Sequence, residues 1–290
     1  MQATLVGVVA ILLWSGLALL TTGTAGVPPF ELLALSFAVA FVASLALLAS
    51  RGRRALARLR QPAAPWLLAF LGLFLYHALY FAALKTAPPA AASLVAYLWP
   101  LLIVLFSALL PGGGLRARHV GGAALGLAGT ALLLRGGLGG GPGGWPALGF
   151  TAALGCALVW SGYSVLNRQF AGVPSEMIGG VCGAVALAGL ACHLALEPSV
   201  MPGAGQWAAI VLLGLGPVGL AFFAWDFATK HGNLPLLGAL SYLAPLLSTA
   251  LLIAAGRASA SAALVAAAVL IVGGAAVATS RPARSPARNR

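Results

Sequence analysis

Carboxylate side chains are almost absent from this 290-residue sequence, which has only three glutamates and one aspartate. Charged residues of both signs make up 7% of the chain, and its three cysteines show no metal-ligand spacing. No group of carboxylates and histidines is spaced to hold a metal ion, and no serine, histidine and aspartate are placed for acyl transfer. A phosphate-binding loop of the form Gly-x-x-x-x-Gly-Lys-Ser/Thr is also missing. We therefore expect no metal or other cofactor, no enzymatic activity and no direct use of ATP.

Long apolar runs fill most of the sequence. Hydrophobic residues make up 61% of it, which is too much to bury inside a water-soluble globule of this length. The runs are continuous over about twenty residues, as in membrane-spanning helices, whereas spanning strands would alternate in polarity over about ten residues. We predict an all-α integral membrane protein with ten transmembrane helices, at 3–22, 29–49, 65–84, 89–110, 119–135, 147–168, 175–196, 206–228, 234–255 and 259–279.

Basic residues are distributed unequally between alternate loops. If the first of ten spans starts in the cytoplasm, thirteen of the sixteen lysines and arginines lie on the inner side, and only Lys85, Arg135 and Arg257 lie outside. Cytoplasmic loops of membrane proteins carry such an excess, so both termini are expected in the cytoplasm. The net charge of +12 then faces the lipid bilayer, and no nucleic-acid partner is expected.

The sequence repeats itself after 145 residues. Seven matches support this, namely Ala83/Ala228, Lys85/Lys230, Tyr97/Tyr242, Leu98/Leu243, Pro100/Pro245, Leu101/Leu246 and Leu102/Leu247. We predict a five-helix repeat at 1–135, a Gly-rich linker at 136–145, a second five-helix repeat at 146–280 and a basic disordered tail at 281–290. Because five is odd, the second repeat enters the membrane inverted, and a site near the midplane is expected where the repeats meet. This arrangement is typical of secondary transporters.

Aromatic and polar side chains are concentrated on six spans, which should line a central cavity. On the third span, His77 and Tyr80 share a helical face with Phe81 and Leu84. The expected substrate-binding residues are Trp14, His77, Tyr80, Tyr97, Trp99, Trp160, Tyr163 and Tyr242. For the three tryptophans, ordinary packing is an equal alternative, and Trp99 points away from Tyr97 on an ideal helix. A ring-lined cavity without fixed charge suits a small, uncharged or zwitterionic, partly apolar solute.

Two prolines and one aspartate have separate interpretations. Pro100 and Pro245 each free the carbonyl four residues earlier, which either accepts a hydrogen bond from a substrate or marks a simple helix kink. Asp226 lies one helical turn before Lys230, so an ion pair is expected, with a role in proton coupling as the alternative. His77 either titrates in the physiological range or only hydrogen-bonds a substrate.

The inverted repeats, with Ala83-Leu84-Lys85-Thr86 leading into Pro100, resemble the EamA domains of the drug/metabolite transporter superfamily. Tyr97-Leu98-Trp99-Pro100 and Ser241-Tyr242-Leu243-Ala244-Pro245 resemble more narrowly the superfamily's exporters of aromatic amino acids. One departure is Ser36-Phe37, where many EamA domains have Arg-Phe.

The resemblance implies export of amino acids across the bacterial inner membrane by alternating access. The expected cargo is phenylalanine, tryptophan or tyrosine, with methionine and threonine as further candidates. Export of another small metabolite or drug is the first alternative, and a pore-like channel the second. A monomer is one possibility for the oligomeric state, which the sequence leaves open.

Overall fold

A computed structural model of the protein describes residues 1–87, 89–111, 115–134, 147–256 and 261–280. The predicted linker at 136–145 and tail at 281–290 lie outside the described residues. Every regular element in the described part of the chain is helical. The long helices are α1 (Gln2–Thr22), α2 (Pro29–Ser50), α3 (Ala63–Thr86), α4 (Pro89–Ala96 and Trp99–Phe106), α5 (Ala117–Leu134), α6 (Ala147–Phe170), α7 (Met177–Leu196), α8 (Ala204–His231), α9 (Leu234–Leu240 and Leu243–Ala254) and α10 (Ala262–Thr279).

The membrane character of these helices agrees with the sequence prediction. Among the described residues, eight helices are long and apolar enough to cross a membrane, and α10 contains a shorter apolar stretch, Ala262–Ala278. Each long helix lies within a few residues of a predicted span. The all-α membrane fold is confirmed, and the count of ten spans stays a prediction.

Equivalent helices of the two predicted repeats are interrupted at equivalent places. Helix α3 widens into a π-helical stretch at Leu71–Leu75, and α8 does so at Gly214–Leu220. In α8 the widening contains Pro217, which has no N–H to donate and would clash with the preceding turn of an ordinary α-helix. Helices α4 and α9 are each broken by a two-residue turn shortly before a proline.

Those breaks place the two prolines at the start of new helical pieces. Pro100 lies in the first turn after the break at Tyr97 and Leu98, where a missing N–H does no harm. Pro245 follows the equivalent break in α9, and the Ser241 carbonyl there accepts a hydrogen bond from the Ala244 N–H at 3.1 Å. Both helices are thus broken just before these prolines, and the Ser241 carbonyl has a hydrogen-bond partner within α9.

Small residues allow the helices to pack closely. A Cβ atom on Gly122 of α5 would lie 2.5 Å from the carbonyl oxygen of Gly274 on α10, so these backbones touch. On α7, a Cβ atom on Gly183 would lie 2.8 Å from the Phe41 ring of α2. In lipid, where apolar burial does not hold helices together, such contacts supply the packing.

One carboxylate links the ends of helices α2, α3 and α7. Glu197, just after α7, accepts hydrogen bonds from the first N–H groups of α2, from Phe30 at 3.0 Å and Glu31 at 3.2 Å. A negative charge there satisfies free donors and complements the helix dipole. His193 Nδ1 lies 3.2 Å from the same carboxylate, and Lys85 Nζ lies 3.8 Å from it.

Candidate functional site

A cavity lies among helices α1, α3, α4, α6, α8 and α9. It contains about 770 Å³ of space free of protein atoms, part of it open to solvent. Its lining, here called the aromatic cavity, consists of Trp14, Leu17, Tyr76, His77, Tyr80, Ser93, Ala96, Tyr97, Trp99, Trp160, Phe222 and Ala244. None of these residues carries a permanent charge.

Four tryptophans cluster at the aromatic cavity, and three of them, Trp14, Trp99 and Trp160, line it. The Trp14 ring lies 5.7 Å from Trp160, 6.4 Å from Trp99 and 5.1 Å from Trp225, measured between ring centroids. Most of these pairs meet edge to face or tilted, arrangements that the quadrupoles of aromatic rings favour. The Trp14 indole N–H donates to the Pro217 carbonyl at 3.0 Å. Trp14 is therefore held against the π-helical stretch of α8 and presents its ring to the cavity.

The break in α4 explains how Tyr97 and Trp99 reach the same cavity. On a continuous helix, residues two positions apart point in different directions. The turn at Tyr97 and Leu98 interrupts the helix between them, so both line the aromatic cavity. The expectation that Trp99 points away from Tyr97 applies to an ideal helix. It does not hold here because the helix is broken between the two residues.

The hydrogen bonds of His77 determine which nitrogen carries its proton. His77 Nδ1 lies 2.6 Å from the Leu73 carbonyl oxygen one turn earlier. A carbonyl can only accept, so Nδ1 carries hydrogen and Nε2 of the neutral ring is left as an acceptor. On the same helix, the Tyr80 hydroxyl lies 3.0 Å from Ser93 Oγ of α4. The cavity thus offers both hydrogen-bond acceptors and donors.

Two predicted site residues lie outside the lining of the aromatic cavity. Tyr163 is buried behind Trp160, with ring centroids 5.4 Å apart. Tyr242 is fully buried, and its hydroxyl donates to the Tyr97 carbonyl at 3.1 Å. Both support residues that line the cavity. The other six predicted residues, Trp14, His77, Tyr80, Tyr97, Trp99 and Trp160, all line it.

Three aromatic residues of this region were missed in the sequence analysis. Tyr76 and Phe222 line the cavity, and Trp225 packs beneath Trp14 with its indole N–H donating to Ser164 Oγ at 3.0 Å. The repeat contained the signal for two of them, since the 145-residue offset maps His77 onto Phe222 and Tyr80 onto Trp225.

The predicted ion pair of Asp226 and Lys230 is confirmed and is fully buried. Lys230 Nζ lies 2.7 Å from Asp226 Oδ2 and also donates to the Val173 carbonyl at 3.0 Å. Asn167 Nδ2 donates to Asp226 Oδ1 at 3.0 Å and lies 2.9 Å from Thr229 Oγ1. These partners satisfy both charges and join the end of α6 to α8.

Among the described residues, no group of three or more metal-ligating side chains is present.

Comparison with known proteins identifies relatives over nearly the whole chain. The model of the EamA-like transporter family matches residues 1–135 and 147–280. The aromatic amino acid exporter YddG of Ancylobacter novellus is 55% identical over 281 residues, covering 96% of this chain and 97% of that protein. The aromatic amino acid exporter YddG of Salmonella typhimurium is 28% identical over 263 residues, covering 86% and 87%. A protein of known crystal structure is 54% identical, with a TM-score of 0.91 over 96% of each chain.

Proposed function

We propose, since this chain belongs to the EamA-like transporter family, that it exports aromatic amino acids across the bacterial inner membrane by alternating access. It is a multi-pass membrane transporter and not an enzyme. In this proposal the aromatic cavity is the substrate site, both termini lie in the cytoplasm, and the two predicted repeats are inverted. The name of the relative from Ancylobacter novellus supports the choice of cargo.

The observation that best supports this cargo is a ring-lined cavity without a charged side chain. Trp14, Trp99 and Trp160 can stack against the side chain of an aromatic amino acid. The same ring faces attract an ammonium group through cation–π interactions. A zwitterion has no net charge, so it needs no fixed countercharge in the protein.

Polar groups at one side of the cavity suit the two ends of a zwitterion. The free acceptor of His77, Nε2, fits the α-ammonium group as donor. The hydroxyls of Tyr76, Tyr80 and Tyr97 can donate to the carboxylate. We propose that this arrangement orients the amino acid, with its ring on the tryptophans.

In the predicted topology, the open part of the aromatic cavity lies on the outer side of the membrane. If α3 runs outward, Tyr76, His77 and Tyr80 lie in its outer half, and Ser93 follows the next outer loop. On the inner side, the Asp226 and Lys230 network packs α6 against α8. We propose that this conformation has its outer path open and its inner path closed, and that transport requires the inner contacts to separate.

Counterflow in proteoliposomes tests the cargo directly. Vesicles loaded with unlabelled phenylalanine should accumulate labelled phenylalanine, with competition by tryptophan and tyrosine and weaker competition by methionine and threonine. Trp160→Phe should slow the exchange, whereas Trp207→Phe makes the same change at an exposed position outside the cavity and should not.

Other outcomes of the same assay would replace the proposal. Inserted protein that exchanges no amino acid from a broad panel would exclude this cargo and favour another metabolite or drug. Fluxes that never saturate, or single-channel currents, would indicate a pore.

Proton coupling is a separate part of the proposal, with Asp226 as the candidate residue. Its carboxylate is buried between the α6 and α8 segments that close the inner side. If Asp226 couples transport to protons, a pH gradient should drive export, and Asp226→Asn should abolish that dependence while exchange without a gradient continues. A pH dependence that survives in Asp226→Asn would return this residue to a structural role.

A further inference from the structure

A second cavity lies between α2, α7 and α8, away from the aromatic cavity. It contains about 520 Å³ of space free of protein atoms, part of it open to solvent. Leu47, Leu48 and Phe223 line its apolar part, and Arg51 and Glu176 lie at its polar end. We call this cavity the arginine groove. Since α2 ends at Ser50 and α7 begins at Met177, the polar end lies where these two helices leave the apolar region.

The polar end of the arginine groove is positively charged. Arg51 is the first of five arginines within ten residues, 51–60, in the segment between α2 and α3. The Glu176 carboxylate forms an ion pair with Arg58, so its charge is already matched. Within the described residues, no carboxylate forms an ion pair with Arg51. The exposed guanidinium of Arg51 is therefore available to an anion.

The interior of the groove is apolar except for one hydroxyl. Leu47 is half-exposed along the groove, and Leu48 is buried at its base. Ser44 Oγ is buried and has no hydrogen-bond partner within the described part of the chain. It lies against Gly179 of α7, where there is no room for a Cβ atom. An occupant would thus need an apolar body beside Leu47 and Phe223 and polar atoms within reach of Ser44 and Arg51.

We propose that the arginine groove binds an anionic phospholipid. Its phosphate pairs with Arg51, its glycerol ester oxygens face Ser44, and an acyl chain lies along Leu47 and Phe223. A soluble anion would gain nothing from the apolar part, and an uncharged lipid would gain nothing from Arg51. The neighbouring arginines attract anionic lipids to this edge of the protein in a non-specific way. The groove then selects one molecule by shape.

Native mass spectrometry of the purified full chain tests this site. The protein is titrated with palmitoyl-oleoyl phosphatidylglycerol, with phosphatidylcholine of the same acyl chains, and with glycerol 3-phosphate. Phosphatidylglycerol should bind tightly at one site, and the other two compounds should not. Arg51→Gln should weaken that site about fivefold, the contribution of one basic residue near a membrane surface.

Two further variants separate the groove from its surroundings. Arg53→Gln removes the same charge from an exposed neighbour outside the groove, and phosphatidylglycerol should bind as before. Leu47→Trp keeps every charge but fills the apolar part, so it should also weaken the site. Size-exclusion profiles and tryptophan fluorescence of all variants establish that they are folded.

Three results would overturn the proposal. Equal losses in Arg51→Gln and Arg53→Gln would show attraction by the arginine-rich segment alone. Equal binding of phosphatidylglycerol and phosphatidylcholine would remove the role of Arg51. Binding of glycerol 3-phosphate as tight as that of phosphatidylglycerol would show that the apolar groove takes no part.

Discussion

Helices α3 and α8 occupy equivalent positions in the two predicted repeats, but they end in different surroundings. Lys85 near the end of α3 has 56% of its side chain exposed and lies 3.8 Å from Glu197. The equivalent Lys230 of α8 is fully buried and lies 2.7 Å from Asp226. The position equivalent to Asp226 is occupied by Phe81, which packs edge to face on Phe30.

In the proposed function, this difference allows equivalent helices to serve the two ends of one transport path. On α3, His77 and Tyr80 supply polar groups to an open cavity, whereas Phe222 and Trp225 at the equivalent positions of α8 supply rings that fill space. Both predicted repeats have a lysine near the end of this helix. Lys230 is buried in a close ion pair, whereas Lys85 is half-exposed and lies farther from its carboxylate. The comparison can be tested by changing one end at a time.

The largest expected effect is at the buried lysine. Lys230→Met leaves the Asp226 carboxylate buried without its counterion, which should lower the free energy of unfolding by about 3–5 kcal/mol. Lys85→Met breaks a half-exposed pair and should cost less than about 1 kcal/mol. Thermal unfolding of both purified variants, followed by tryptophan fluorescence, measures the difference. Similar losses of unfolding free energy in both variants would mean that the two ion pairs contribute equally. As a control, the double variant Asp226→Leu/Lys230→Met removes both charges and should recover much of the stability.

The second largest effect is expected in the aromatic cavity. Two replacements of His77 distinguish the role of its Nδ1 from that of its Nε2. Asparagine can still donate to the Leu73 carbonyl but has no group in place of Nε2, whereas glutamine places a polar group near Nε2. If Nε2 accepts from the substrate ammonium, His77→Asn should raise the KM for phenylalanine counterflow about tenfold, the value of one charge-assisted hydrogen bond. His77→Gln should raise KM less. The reverse order would assign His77 to holding the helix and not the substrate.

A smaller effect is expected at Tyr242, whose hydroxyl spans the two broken helices. Tyr242→Phe removes the hydrogen bond to the Tyr97 carbonyl at 3.1 Å. The loss in unfolding free energy should be about 1 kcal/mol, seen as a lower melting temperature with little change in KM. A direct contact with substrate would give the opposite pattern, with KM raised and the melting temperature unchanged.

The smallest effect is the pH dependence of the ion pair at the start of α7. Partial burial acts to raise the pKa of Glu176, but its own backbone N–H and the Arg58 guanidinium, with Arg51 beyond, lower that pKa below its usual value. A carboxyl with a lowered folded-state pKa contributes stability above its unfolded-state pKa, and this contribution disappears as pH falls through the folded-state value.

Because Arg58 is more than half exposed, the pair should contribute less than about 1 kcal/mol. Melting temperatures between pH 7 and pH 3 should fall slightly less steeply for Glu176→Gln than for the unchanged protein. Identical slopes would show that solvent screens the pair completely.

Much of the fold can be predicted from local patterns in the sequence. Uninterrupted apolar runs and the recurrence of residues such as Lys85 and Tyr97 depend on local composition and need no tertiary information. The glycine contacts were also predictable, because Gly122 and Gly183 allow the close packing that helices in lipid require. Six of the eight predicted site residues line the cavity for the same reason, since few deep positions carry polar or aromatic side chains.

The remaining site features depend on geometry that an ideal helix does not contain. Helical spacing placed Phe81 with His77 on one face, but the cavity lies beside Tyr76, because Phe81 packs on Phe30 of α2. The break in α4 turned Trp99 toward the cavity. Tyr242 lies behind the lining because its hydroxyl bonds to the main chain of the neighbouring broken helix. Such departures arise from contacts between helices and leave no periodic signal in the sequence.

The carboxylate of Glu197 has a consequence for how the molecule can move. It closes the first turn of α2 from the far end of α7, so a helix from each predicted repeat is fastened to the other. Helix α2 also packs closely along α7 at Gly183. We expect this pair to behave as a stationary frame. The displacement that admits and releases cargo would then fall to α3, α4, α8 and α9, whose regular winding is already interrupted midway.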